Sequence, residues 1–336
     1  MFDDILKFQH GIEKRANALS LQMVNELNKS FTIITGKLAA LEEKYLRKDF
    51  DEETFARRKA LLEHQREEVE KVLKGVYSRL KDQIKEAGQD VFQATTTSTI
   101  QIMNSALGLS VSFFHLDEKH VQAWFETATV EGLVLNEWLE KLERNAVDRI
   151  ISAQRQAMIR GASVSQTVKL LREQGFEGSY KGLQGLARTM MHSASHVARE
   201  KTIQQGYNDL IEGWEYVSTL DSRTCLVCGA DDGKIFKLDE KKPSLPRHWR
   251  CRCCYIPKLK PMKGVPDVET SRPAVAGDEV KRFRGNYQGW MRHMLDKDPD
   301  FVKEVLGPKR FELFKAGKLT LDNMVTDGRI TRLSRL

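Results

Sequence analysis

All five cysteines of this 336-residue chain fall between residues 225 and 254. They come as Cys225 and Cys228, then Cys251, Cys253 and Cys254, with His248 just ahead of the second group. As a pattern this is C-x-x-C, a spacer of nineteen residues, then H-x-x-C-x-C-C. Each short knuckle brings two soft donors within reach of one ion, and two knuckles complete a four-coordinate zinc site. The expected ligands of a structural Zn2+ are Cys225, Cys228, His248 and Cys251. Cys253 is the rival for the fourth place, and Cys254 reads as a buried thiol. With every position filled by protein no place is left for a reacting water, so such an ion would act as a staple and not as a catalyst. A disulfide framework fits less well, because the count is odd and Met1-Phe2-Asp3-Asp4 does not open a secretion signal. A redox C-x-x-C starts a helix, whereas here Gly229 and the Asp231-Asp232-Gly233 turn follow at once.

The flanks of this cluster predict a small β module. Trp214 to Ser218 reads as one strand, Lys234-Ile235-Phe236 as a second, and Cys254-Tyr255-Ile256 as a third that Pro257 ends. So small a module has little core, and a metal would supply the missing free energy, roughly 10 kcal/mol or more in isolated zinc-binding peptides. The same stretch is basic. The formal net charge of the chain is +7, yet residues 234–263 alone hold ten basic and two acidic side chains, a balance of +8. Lys241, Lys242, Arg247, Arg250, Arg252, Lys258 and Lys260, interleaved with Trp249 and Tyr255, form a candidate surface for the phosphates of double-stranded DNA. The alternative is a solvated rim that keeps the module in solution.

The elements that must position this cluster are mostly helical. All eight prolines lie at or beyond Pro243, so the first 242 residues contain nothing that breaks a long helix in this way. Val24, Leu27, Phe31, Ile34, Leu38, Leu41 and Tyr45 recur at alternating three and four residues, a coiled-coil-like seam. Gly36 within it lowers helix propensity by about 1 kcal/mol relative to alanine and is a candidate kink. The polar run Arg47 to Asp51 is expected to end this helix. A second stripe, Leu62, Val69, Val72, Leu73, Val76, Leu80 and Ile84, runs up to Gly88, giving an antiparallel hairpin with a seam for a partner or a second copy of the chain. Thr95 to Thr99 is a weak helix former, Gly108 to Phe114 could be a strand, and Asp117 to Thr127 a short helix. Asn136 should cap a firm helix closed by Gly161, and Ser163 or Ser165 opens another that Gly175 stops.

A long helix is expected from about Lys181 to Asp209, with His192, His196 and Glu200 on one face. A metalloprotease helix needs H-E-x-x-H, and Ser193 stands where its glutamate would act as base. A hydrogen-bonded polar face against the β module is the better reading. After Pro257, the prolines and glycines up to Gly277 read as a linker, and a final helical unit is expected from about Asp278, with Pro308 in the first turn of its last helix and Gly317 at its end. The expected fold is mainly α with a small α+β zinc-stapled module. Its parts are a long-helix hairpin (1–88), a helical connecting region (89–160), a domain with the Cys/His module (161–260), and a linker with a C-terminal helical segment (261–336). With 40% hydrophobic residues the chain is long enough for two or three such units. No apolar run approaches eighteen residues, so no membrane span is expected. The lack of a signal points to synthesis in a reducing cytoplasm.

The run Thr219-Leu220-Asp221-Ser222-Arg223-Thr224-Cys225-Leu226-Val227-Cys228, then Asp232-Gly233-Lys234, then Pro246-Arg247-His248-Trp249-Arg250-Cys251-Arg252-Cys253, resembles the signature of the phage Mu F-like minor head proteins, the phage head morphogenesis family. The likeness extends to Gly161–Asn208, with Ala187-Arg188-Thr189 in its long helix, and to Trp290-Met291 with Val305 to Leu319. It covers about half the chain and leaves the N-terminal hairpin out. Met190, Leu226 and Trp249 stand where the family often has an acid, a proline and a proline, and Cys254 is extra. The resemblance implies a non-enzymatic minor structural protein of a tailed-phage head, acting in head assembly or genome delivery. Its implied partners are portal or capsid proteins, and its place is the head interior or portal vertex, reached from the host cytoplasm during assembly. A zinc-ribbon nucleic-acid-binding regulator is the alternative.

Overall fold

The computed structural model describes residues 1–45, 52–110, 118–262, 271–276 and 279–333. Two long helices open the chain, α1 (Phe2–Tyr45) and α2 (Glu52–Leu107). The expected seam is real, but it faces inward. Leu27, Ile34 and Leu38 are buried, and on α2 Val69, Leu73, Val76, Leu80 and Ile84 meet them, while Leu62 is only half-buried. A third helix, α6 (Glu177–Gly206), packs along both, so the stripe is covered by the chain itself and offers no open seam to a second copy. The side chain of Tyr45 and the Arg47–Asp51 break lie outside the described residues.

Gly88 does not end the second helix, which continues for another nineteen residues to Leu107. A Cβ at Gly88 would sit 1.9 Å from Cζ of Phe125, so the glycine marks where α3 (Glu118–Thr127) presses on α2. The weak helix formers that follow are held by one bond to α6, between Thr95 Oγ1 and Ser195 Oγ at 3.3 Å, and by local bonds to the preceding turn. Thr95 Oγ1 donates to the carbonyl of Val91 at 2.6 Å, Thr99 Oγ1 to that of Thr95 at 2.7 Å, and both are buried. The expected boundary at residue 88 therefore falls inside a helix. Of the strand expected over Gly108–Phe114, residues 111–114 lie outside the described residues, and Gly108 itself has φ +64°, a helix-terminating conformation.

Helix α4 (Leu135–Ile159) starts one residue before Asn136, with the Glu137 carboxylate accepting from the backbone N–H of Val134 at 2.9 Å. It ends as expected at Gly161, φ +59°. Ser163 caps α5 (Val164–Leu170). Gly175 does not stop this helix: a π-helical turn, Leu171–Phe176, carries it without interruption into α6. Gly175, Gly178, Gly182 and Gly185 recur at three and four residues, and a Cβ on any of them would meet Ile150, Arg149, Leu142 or Trp249 at 3.3 Å or less. This glycine stripe is the bearing on which α4 and the module rest.

The module is a three-stranded antiparallel sheet of order β2-β1-β3, with β1 (Ile211–Val217) between β2 (Ile235–Lys237) and β3 (Cys254–Leu259). Pro257 does not end β3 but pairs with Trp214 inside it. The strand is an edge, so the missing N–H of proline is tolerated. The expected linker holds instead a β-ribbon, β4 (Ser271–Ala276) with β5 (Glu279–Arg284), and the final helices start only at α8 (Tyr287–Lys297), capped by Asn286. Phe283, inside the helical unit expected from about Asp278, is thus on a strand. Residues 263–270 lie outside the described residues. Helices α9 (Pro299–Leu306) and α10 (Pro308–Lys315) complete a second core in which Trp290, Met291, Leu306 and Phe314 pack together with Leu220 and Leu226 of the module.

Candidate metal centre

Cys225 is the N-cap of the six-residue helix α7 (Leu226–Asp231), and Cys228 lies in its first turn, its N–H donating to Cys225 Sγ at 3.4 Å. A helix, not an immediate turn, thus follows the first cysteine. Gly229 within it admits the ring of Tyr287, which a Cβ there would meet at 2.5 Å, and the helix ends where Asp232 turns extended ahead of Gly233 at φ +83°. The second knuckle is a tight loop before β3. Arg250 adopts φ +63°, rare for a residue with a Cβ, and the N–H of Cys251 donates to the carbonyl of His248 at 3.1 Å.

The two knuckles meet. His248 Nε2 lies 3.4 Å from Cys225 Sγ and 3.3 Å from Cys228 Sγ. Tetrahedral bonds to zinc of about 2.0 Å from nitrogen and about 2.3 Å from sulfur place these atoms roughly 3.5 Å apart. His248 Nδ1 faces the carbonyl of Trp249 at 2.9 Å, which fixes a proton there and turns the Nε2 lone pair to the thiols. A second triad, Cys228, Cys251 and Cys253, has its sulfurs within 4.8 Å of one another and shares Cys228 with the first. No disulfide joins any cysteine. Five soft donors therefore surround one small volume, a set suited to zinc and unsuited to calcium or magnesium. Cys254 stands apart, 1% exposed beside Ile5, Val217 and Ile256, and burial pushes its thiol up to about 11.

Crowding makes the donors compete for protons. The hydrogen bond with Cys228 holds Cys225 down at about 4, and the thiols of Cys228 and Cys253 hold Cys251 well below the usual thiol range. Cys228 is driven up in return, chiefly by Cys225, and hydrogen bonds with Cys225 and Cys251 raise His248 to about 11. Tyr216, fully buried, donates to Cys228 Sγ at 3.2 Å.

Around this cluster the acids of the signature find its arginines. Asp221 accepts two bonds from Arg252, at 2.5 and 2.8 Å, so the residue that leads the first knuckle is tied to the one inside the second. Asp231 pairs with Arg247, and Asp232 with the buried Arg272. Asp232 also accepts from the backbone N–H of Ser218 and of Tyr287, both at 2.6 Å, joining strand, ribbon and α8. The knuckle is fixed to α6 as well. Thr189 Oγ1 accepts from the N–H of Arg250 at 3.0 Å, and Trp249 seats over Gly185 and against Trp138, ring centroids 4.4 Å apart.

These pairings change the reading of the basic strip. Lys242 is bound to Glu200 at 2.7 Å and lies over the rings of Trp214 and Tyr255. Arg247 and Arg252 have carboxylate partners, Arg250 donates to the carbonyl of Lys181, and Lys260 to that of Asp209. Lys258 is half-buried on β3, and Lys241 is exposed. The polar face of α6 meets the expectation only in part: Glu200 reaches Lys242 of the module, whereas the buried His192 bonds Gln9 of α1 at 2.7 Å and the buried His196 leaves Nε2 without a partner. Sequence reasoning missed Asp221, Asp231, Asp232, Arg272, Tyr216 and Thr189. The signal available for the first of these was an Asp and an Arg at matched places beside the two knuckles.

No helix among the described residues is long and apolar enough to cross a membrane. No curated protein and no solved structure matches the chain. A family model does match, from the middle of α4 into β3, a span that holds α6, all five donors and the Asp221–Arg252 pair but neither the N-terminal hairpin nor the C-terminal helices. Residues 148–256, about a third of the chain, match the family model described as Phage Mu protein F like protein, so this segment is similar to that phage family.

Proposed function

We propose that the chain is a minor structural protein of a tailed-phage head, docked at the portal or inner shell, whose Cys/His module is stapled by one zinc ion. Cys225, Cys228 and His248 supply three ligands, with Cys251 as the fourth and Cys253 as its rival. The observation that carries this reading is the convergence of thiols and imidazole from two knuckles twenty residues apart to separations near 3.4 Å. When bound, the metal would supply rigidity: it replaces the competition for protons by bonds to one cation, and it locks α7 to β3. The module would then hold the C-terminal helices through Tyr287, and α6 and α4 through Thr189 and Trp249.

Two measurements test the two halves of the proposal. Elemental analysis of the purified chain should give one zinc per molecule, and a metal content near zero in protein purified without chelators would remove the staple. Mass spectrometry of particles from a phage that encodes this chain should recover it in purified heads at a few copies. Finding it only in the infected-cell lysate would remove the structural role and favour the nucleic-acid-binding regulator.

A further inference from the structure

Between α6 and the module lies a cavity of about 240 Å3, lined by His196, Arg199, Glu200, Trp214, Lys242 and Tyr255 among others. Arg199 is 2% exposed. Its Nη2 reaches only the neutral amide of Gln9, at 3.3 Å, and its Nη1 has no hydrogen-bond partner. Among the described residues no carboxylate pairs with it. His196, 6% exposed, leaves Nε2 without a partner. Glu200, the acid on this lining, is already held by Lys242 at 2.7 Å. Two cations against one acid leave the cavity with one uncompensated positive charge.

Arginine is almost never fully buried unless paired, because a guanidinium removed from water without an acceptor is strongly disfavoured. The polar atoms left over here are two, on one helix and one turn apart. They border a space several times the roughly 30 Å3 that one water occupies in the liquid. We propose that this cavity is a binding site for a small oxyanion of the phosphate class, with Arg199 Nη1 as its principal donor, His196 beside it and Lys242 on the rim. Trp214 and Tyr255 wall the site and keep its dielectric low, which strengthens the ion pair relative to one on the surface. No residue of its lining is one of the proposed metal donors, and the site does not depend on the virion role.

The test is equilibrium dialysis of the full zinc-loaded chain against labelled inorganic phosphate in a phosphate-free buffer, with ionic strength held constant by chloride. One saturable site per chain is expected, together with a rise in Tm that chloride does not reproduce. Arg199→Met, similar in length and uncharged, should weaken phosphate binding at least tenfold and abolish the rise in Tm while leaving zinc content unchanged. Arg199→Lys, which keeps the charge but loses the second donor, should weaken binding several-fold and serves if the methionine variant does not fold. Absence of saturable binding in the unaltered chain would mean that water alone fills the cavity, and the proposal would fail. Binding of equal strength in the arginine variants would place the phosphate on the exposed lysines and overturn it too.

Discussion

Single side chains around the metal centre differ sharply in what their loss should cost. Cys228 belongs to both donor triads, so Cys228→Ser should abolish zinc binding and destabilise the module by several kcal/mol, the scale set by metal-linked folding. Cys254→Ser touches neither triad. It should retain one zinc per chain and lower stability by about 1–2 kcal/mol, the cost of a hydroxyl in an apolar setting. Zinc content and urea midpoints of the two variants measured side by side decide this, and equal zinc loss in both would contradict the donor assignment. His192 offers a different residue-scale test. Burial holds its ring down at about 4 from an ordinary 6.5, where Nδ1 accepts from the Gln9 amide at 2.7 Å. A depressed pKa in the folded state means that the neutral ring favours folding. This contribution is complete above pH 6.5 and is lost as the pH falls toward 4, on the order of a few kcal/mol. His192→Gln should flatten the stability profile in that window, as urea titrations at stepped pH would record. An unchanged slope would show that other groups carry it.

Elements were legible in the sequence to the extent that local pattern and tertiary need agreed. The three- and four-residue spacing of Leu27, Ile34 and Leu38 identified α1, alternation found β1 and β3, and the knuckle pattern picked out the cysteines and histidine that lie together. What the spacing could not say was what covers the seam, because α6 is polar and small along the faces it buries, with Ser193, Ala194 and Ser195 all inaccessible. Glycine misled for a related reason. Gly88 and Gly175 resemble helix terminators, yet each sits where another side chain lies against the backbone, a fact about distant residues and not about neighbours. This leads to a paired prediction. Gly36→Ala, with nothing within 4 Å of the added methyl group, should stabilise the chain by about 0.5–1 kcal/mol, whereas Gly88→Ala should destabilise it by about 1–3 kcal/mol despite the same gain in helix propensity. Equal and positive shifts in urea melts would mean that Phe125 does not press on α2. The Asp221–Arg252 bond was hidden for the same reason as the helix contacts, since thirty-one residues separate its ends. Asp221, 4% exposed, leaves Arg252 half-satisfied when neutralised, so Asp221→Asn should cost about 3–5 kcal/mol, and a double-mutant cycle with Arg252→Met should recover much of that loss.

At the scale of the whole molecule, charge that looked like a surface in the sequence is largely internal wiring. Lys242, Arg247 and Arg252, three of the seven nominated cations, are held by Glu200, Asp231 and Asp221. Binding of duplex DNA by the purified chain should therefore fall only gently with added salt, with a slope corresponding to about one to three phosphate contacts and not seven. A steep slope in fluorescence anisotropy titrations would show that these pairs open and that the strip works as one surface. The same internal wiring explains why the family segment, 148–256, needs what lies outside it. Arg272 on the ribbon and Tyr287 on α8 complete the hydrogen bonds of Asp232, and the hairpin buries the other side of α6.

One consequence concerns Trp249. The indole next to His248 is wedged between the bare backbone of Gly185 and the ring of Trp138, so two chromophores from different parts of the fold meet beside the proposed zinc site. Stripping the ion would free that loop and change the polarity around both indoles at once. Natural emission, with no label attached, would then act as a gauge of metal loss and of the detachment of the knuckle from the long helical rod.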